Sequence, residues 1–167
     1  HLIAQSDGNI FPRPFEIEAI DFAWDELREE LRKRDVLVWH CSPYRRCLTP
    51  KHRYGFRIST QIDPLDCLLL TALLFEFGQD IESLRIPAAD EVCFSHHFAP
   101  DVTTGRLYNP DYDYQAFEEK TNELLEDNGH DYVVVTDIAD FYPRIYLHPL
   151  ENALDKVTHE DHANAVI

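Results

Sequence analysis

The sequence predicts an α+β fold, with amphipathic helical stretches set between short strand-like runs and no internal repeat or low-complexity segment. Three stretches carry the prediction. From Phe15 to Arg34, Ile17, Ile20, Trp24, Leu27 and Leu31 recur at three- and four-residue steps, the period of a helix with one apolar face. Leu48 to Ile58 has the pattern of a β-hairpin with Gly55 near its turn. Val133 to Val135 is a short apolar run that reads as a buried strand and delivers Asp137 at its C-terminal end.

The remaining elements follow in order. Residues 1–14 are polar and interrupted by proline, a loose lead-in. After the first helix, Val36 to Trp39 reads as a short strand leading to the hairpin. Asp63–Pro64 is a helix start, an N-cap carboxylate followed by proline at the first helical position. The helix from Leu65 to Phe77 is apolar nearly all round and is expected to be buried, with Gly78 ending it. Val92 to Phe98 predicts a strand, Thr104–Gly105 a turn, and Tyr114 to Asp127 an amphipathic helix ended by Asn128–Gly129. A last helix is expected from about His148.

The 167 residues are one domain's length, enough to bury a core. The formal net charge of −16 is unevenly spread. Residues 1–63 hold ten Lys/Arg and ten Asp/Glu, whereas the remainder holds five against twenty-one. Such acidity excludes indiscriminate binding to a polyanion. Val36 to Ile62, however, contains Arg45, Arg46, Lys51, Arg53 and Arg57 and no acid, the one credible phosphate footprint. Cys41, Cys47, Cys67 and Cys93 form no CxxC pair, which points to free thiols in a reducing cytoplasm. The apolar run Leu68 to Phe75 is too short to cross a bilayer, and no membrane partner is expected. The chain begins at His1 and contains no Met, as expected of a fragment or trimmed form.

Residues 131 to 145, DYVVVTDIADFYPRI, follow Asp137 with Asp140, two aromatics and a proline. This stretch resembles motif A of the reverse transcriptase palm, in which an aspartate ends a strand and an aromatic beyond a short turn checks the incoming sugar. DPLD at Asp63 to Asp66, FSHHF at Phe94 to Phe98 and DIADFYPRIYLHPLENAL at Asp137 to Leu154 are similar to the bacterial reverse transcriptases linked to phage defence and abortive infection. The resemblance runs from about Pro43 to the C-terminus. It implies a fingers region over residues 15–130, with the N-terminal helix and the basic hairpin, and the start of a polymerase palm over 131–167.

The resemblance also implies a site. Nucleotidyl transfer uses carboxylates that bridge two Mg²⁺ ions, activating a 3′-hydroxyl and steadying the leaving pyrophosphate. Asp137 is the expected catalytic carboxylate and metal ligand, with the backbone carbonyl of Ile138 at the second metal. Ala139, Asp140 and Phe141 are expected to meet the triphosphate and Tyr142 to gate the sugar; for Asp140, local capping or pairing is the alternative. Lys51 and Arg57 are expected to grip the triphosphate, Arg through its planar fork and Lys as a point charge. Arg45, Arg46 and Arg53 are expected to meet template or primer backbone. The implied partners are a deoxynucleoside triphosphate, an RNA template and a DNA or protein primer, with a further copy or a defence-complex partner in addition.

Two departures bear on activity. Where the family more usually has a Tyr-Arg pair, this chain has His96–His97, and both the family's Tyr-x-Asp-Asp turn and the Gly-rich motif that follows its motif A helix are missing from these residues. One carboxylate cannot assemble a two-metal site, so these residues alone are not expected to polymerise. The alternative is a non-catalytic, polymerase-like interaction module of a defence complex. A phosphatase of the haloacid dehalogenase type would need a second Asp two residues after Asp137, where Ala139 stands. His40, Cys41, Cys47 and His52 have zinc-ligand chemistry but match no zinc spacing, with Cys47 expected to be buried in a strand. His159 and His162 have helical spacing and are read as surface.

Overall fold

The computed structural model describes residues 1–5, 14–126, 132–139 and 141–157. In chain order its elements are α1 (Leu2–Gln5), α2 (Phe15–Phe22), α3 (Trp24–Leu31), β1 (Arg45–His52), β2 (Gly55–Gln61), α4 (Pro64–Ser83), β3 (Phe98–Asp101), β4 (Arg106–Tyr108), α5 (Tyr114–Glu126) and α6 (Leu147–Leu154). Three 3-10 turns, Val36–Val38, Ala88–Asp90 and Tyr142–Arg144, connect them. The architecture is α+β, with two separate two-stranded antiparallel sheets, β1–β2 and β3–β4.

The predicted first helix is present but divided. At Ala23 the backbone leaves helical geometry (φ −98°, ψ 22°), although the Ala23 N–H still reaches the Ala19 carbonyl and the Leu27 N–H the Ala23 carbonyl, each at 3.0 Å. Ile17 is the buried anchor of α2, while the end of α3 and the residues just after it carry the exposed pairs Arg32–Glu29 (2.9 Å) and Lys33–Glu30 (2.6 Å). Pairs of this kind contribute about 0.3–0.5 kcal/mol each. The strand expected at Val36 to Trp39 is instead a 3-10 turn, because Asp35 caps it by accepting from the Leu37 N–H (3.0 Å).

Helix α4 starts as the sequence predicts. The Asp63 side chain accepts from the Leu65 N–H (3.0 Å) and Pro64 occupies the first turn. Three residues into the helix, Asp66 is buried, and both of its oxygens are used. One accepts from Trp39 Nε1 (2.7 Å) and the other from the Ser42 N–H (2.8 Å). Hydrogen bonds to a charged acceptor contribute roughly 1.5–3 kcal/mol each, so this carboxylate fastens residues 39–42 to the helix start. The helix is less buried than expected: Leu73 is covered, but Phe75 is 44% exposed. A helix apolar on every side needs neighbours on every side, and small two-stranded sheets provide few. Ile17, Leu73, Leu107 and Leu154 are the buried apolar side chains among the described residues.

Gly78 does not end α4, which continues to Ser83. Its role is space, because a Cβ there would lie 2.5 Å from the ring of Phe98. The strand predicted over Val92 to Phe98 is displaced to β3, whose first residue is that same Phe98. Residues 91–97 are held instead by side-chain bonds described below. After β3 the Asp101 carboxylate accepts from Thr103 N (2.8 Å), Thr103 Oγ1 (2.6 Å) and Thr104 Oγ1 (2.7 Å), closing the predicted turn, with Gly105 at φ 74°. These hydroxyl and backbone donors hold the Asp101 carboxyl at about 2. His1 packs on this turn, Nδ1 meeting the Gly105 carbonyl at 2.8 Å, with its ring 5.0 Å from Phe75.

Helix α5 is capped by Asp113, which accepts from the Ala116 N–H (2.9 Å). Its predicted terminator, Asn128–Gly129, lies outside the described residues, as do His159, His162 and much of the expected lead-in. Val133 to Val135 are neither paired nor buried: Val134 is 84% and Val135 89% exposed, and residues 132–138 have no regular structure. A strand exists only where a neighbour completes its ladder, and no described strand lies beside this one. Helix α6 begins at Leu147, as expected.

The Gly78–Phe98 contact generates a test. Gly78→Ala gains roughly 1 kcal/mol of helix propensity but overpacks the Phe98 ring, which costs roughly 1–3 kcal/mol. Urea unfolding should therefore show a net loss of about 1 kcal/mol. In a Phe98→Ala background the same change should become neutral or stabilising; an equal loss in both backgrounds would show that the ring is not what requires glycine.

Candidate functional site

Strand pairing decides which hairpin residues share a face. The register sets Arg45 opposite Gln61, Cys47 opposite Ser59 and Thr49 opposite Arg57. Paired residues point to the same side, so Arg45 and Arg57 lie on one face, where Thr49 and Ser59 share a hydroxyl–hydroxyl bond and Ser59 is buried. Arg46, Leu48, Phe56 and Ile58 lie on the other, and its apolar members are 60–70% exposed. Lys51 is the extra residue of a bulge between Pro50 and His52. A bulge breaks the simple alternation of sides, so strand pattern alone does not set Lys51 beside Arg57. Both side chains are exposed, and neither has an acidic partner among the described residues.

The three other hairpin arginines differ from one another. Arg45 donates to Glu16 on α2 (2.8 Å), and this bond holds the Glu16 carboxyl low and the Arg45 guanidinium high. Any phosphate at Arg45 must compete with Glu16. Arg46 lies 6.0 Å from the Tyr44 ring and Arg53 5.3 Å from the Tyr54 ring, an interleaving of cations and aromatics open to solvent. Cys47, expected to be buried, is exposed on β1, as are His40 and Cys41 before it.

Asp137 is exposed and forms no ion pair or hydrogen bond with any described residue. Ile138 and Ala139 are exposed beside it, and Asp140 lies outside the described residues. Phe141 and Tyr142 follow at a turn with their rings 5.5 Å apart, Tyr142 being 83% exposed. No described hydrogen bond, ion pair or ring contact joins Lys51 or Arg57 to these residues. No group of three or more His, Cys, Asp or Glu able to hold a metal ion occurs among the described residues. Asp137 and a backbone carbonyl do not complete even one six-ligand magnesium shell, so these residues do not by themselves fit a two-metal centre.

A second cluster was not foreseen in the sequence. At the end of α4, Glu82 accepts from the Phe98 N–H (2.9 Å) and from Arg85 Nη1 (3.0 Å), and meets His97 Nδ1. Burial pushes the Glu82 carboxyl up, but these donors outweigh it and hold it below its ordinary value. Arg85 Nη1 also donates to the His96 carbonyl (2.6 Å), and its Nη2 donates to Ser95 Oγ (2.6 Å) and to Cys93 Sγ (3.3 Å). His97 is buried, with Nε2 at the Cys93 carbonyl (3.1 Å) and its ring against Tyr112. The His96–His97 departure is thus structural at His97, which ties the segment to α4. The Ser95 hydroxyl, the Ser95 backbone and Arg85 together bring the Cys93 thiol down to about 7, whereas burial raises Cys67. The one hint in the sequence was a serine two residues after the cysteine; nothing there announced that Arg85 would reach it.

No protein-family model, curated protein or solved structure matches this chain. No described helix is long and apolar enough to cross a membrane.

The cluster predicts a pH profile. Alkylation of Cys93 by iodoacetamide, followed by peptide mass spectrometry, should titrate with a midpoint near 7. At neutral pH it should outpace Cys67 on the order of tenfold. Arg85→Gln and Ser95→Ala should each move the Cys93 midpoint upward. Because folding lowers this thiol from its ordinary 9.0, the linked stability is complete above that value and is lost as pH falls through about 7. A Cys93 midpoint unmoved by both substitutions would remove the assigned cause.

Proposed function

We propose that the chain is the fingers and the first part of the palm of an RNA-directed DNA polymerase of the bacterial antiphage type, acting in the cytoplasm. The observation that carries this reading is a division of charge within one chain. A hairpin region without a single acid leaves Lys51 and Arg57 open and unneutralised, while Asp137 stands exposed and unengaged ahead of an aromatic turn. Unneutralised cations suit a triphosphate, and an unengaged carboxylate before Ile138 suits a cation. The open Tyr44 ring near Arg46 and the open Tyr54 ring near Arg53 suit single-stranded nucleic acid, whose bases stack while its phosphates pair with arginine. In this reading Asp137 and the Ile138 carbonyl would contribute to holding Mg²⁺ only alongside carboxylates supplied from outside these residues. The bound metal supplies charge stabilisation at the phosphoryl group.

A second reading has its own support. The apolar face of Leu48, Phe56 and Ile58 and the uncovered Val133 to Val135 are surfaces that a protein partner would bury. They fit a polymerase-like interaction module of a defence complex.

Two measurements separate these readings. In a polypeptide that also supplies the remaining carboxylates, Mg²⁺-dependent incorporation of labelled deoxynucleotide should fall on the order of 10²-fold or more in Asp137→Ala. Equal incorporation with and without the substitution would end the assignment to this residue. For the chain alone, single-stranded RNA binding should weaken with salt. Arg46→Ala and Arg53→Ala should each reduce the log–log slope by about 0.7. A slope unchanged by both would leave the interaction module as the better reading.

A further inference from the structure

Between α3, residues 34–39 and the first half of α4 lies a cavity of ≈ 270 Å³. Its walls are apolar, with Trp24 from α3, Trp39 from the connecting segment, and Leu65 and Leu69 from α4. The remaining feature is charge. Arg28, Arg32 and Arg34 also line it, and no acidic residue does, in a chain whose net charge is −16. The three arginines are exposed, so their aliphatic stems extend the walls while their heads reach solvent. They are not equivalent. Arg32 is bound to Glu29 at 2.9 Å and Arg28 approaches the same carboxylate at 3.8 Å. Arg34 has no acidic partner among the described residues and lies 5.5 Å from the Trp39 ring.

One wall of the cavity is held in place. The Trp39 indole nitrogen is tied to the buried Asp66 at 2.7 Å, which keeps that ring from turning into the space. A volume near the lower end of small-molecule sites, roughly 300 Å³, with one unneutralised guanidinium, selects for an occupant in two parts.

We propose that this cavity binds a small organic anion with an apolar body, such as a medium-chain or aromatic acid, whose carboxylate meets Arg34 while its hydrocarbon lies between Trp24 and Trp39. The site is separate from the hairpin and from Asp137 and stands or falls independently of the polymerase reading.

The chain provides its own probe, since its two tryptophans, Trp24 and Trp39, both line the cavity. Intrinsic fluorescence is titrated with octanoate, octanol and octylamine at low salt. Octanoate should give a saturable change with a midpoint roughly two- to fivefold below those of the other two, the range expected of an exposed ion pair. Arg34→Gln should abolish that preference while leaving the octanol response unchanged. Ala72→Phe, which fills the cavity from its α4 side, should remove the saturable response to all three. Equal midpoints for the three ligands, a preference that survives Arg34→Gln, or no saturable response to octanoate would each overturn the proposal. Should Ala72→Phe fail to fold, Arg34→Gln on an exposed side chain still decides the matter.

Discussion

Helix α4 carries a carboxylate in its first turn and another in its last, and the rest of the molecule is hung from them. Asp66 holds Trp39 and Ser42. Glu82 holds Arg85, His97 and the start of β3. The two positions are electrostatically opposite. A negative charge in the first turn is favoured by the helix dipole and one in the last turn is opposed by it. Asp66 therefore needs only neutral N–H donors, whereas Glu82 stands where it does because Arg85, His97 and the Phe98 N–H converge on it. With four buried apolar side chains among the described residues, such polar ties carry an unusual share of the specification.

What the sequence disclosed and what it hid follow the same division. Local chemistry was legible. The Asp63–Pro64 start, the hairpin, the turn at Gly105 and helices α5 and α6 each rest on residues within a few positions of one another. Local pattern misleads where a distant partner decides. Gly78 carries the mark of a helix end, but its lack of a side chain answers Phe98, twenty residues on. Val36 to Val38 have the composition of a strand, yet Asp35 and the Trp39–Asp66 bond turn the chain there. Val92 to Phe98 has strand composition, and Arg85 gathers its carbonyls and hydroxyls into an irregular loop instead.

The candidate site is legible in the same partial way. Residue types and their order announce an acid-free cationic hairpin and a carboxylate ahead of two aromatics, and both are open to solvent. The geometry between them was not legible, because it depends on a β-bulge at Lys51 and on strand partners for Val133 to Val135. Neither is written in a local pattern. The Glu82–Arg85–Cys93 cluster went unseen for the converse reason: its members are ordinary residues one by one and acquire meaning only when the chain folds back on the end of α4.

Among the described residues no strand pairs with either edge of the β1–β2 ribbon, and one of its sides is greasy, the geometry most prone to stacking one molecule on the next. Its defences are a proline, a kink in the ladder and a row of positive charges, which are the devices that keep open strand edges apart. The cations proposed to meet phosphate are thus also placed to keep open strand edges apart. Removing them strips a safeguard along with a ligand contact, and a variant that loses binding must be shown to be still monodisperse before that loss is laid to recognition.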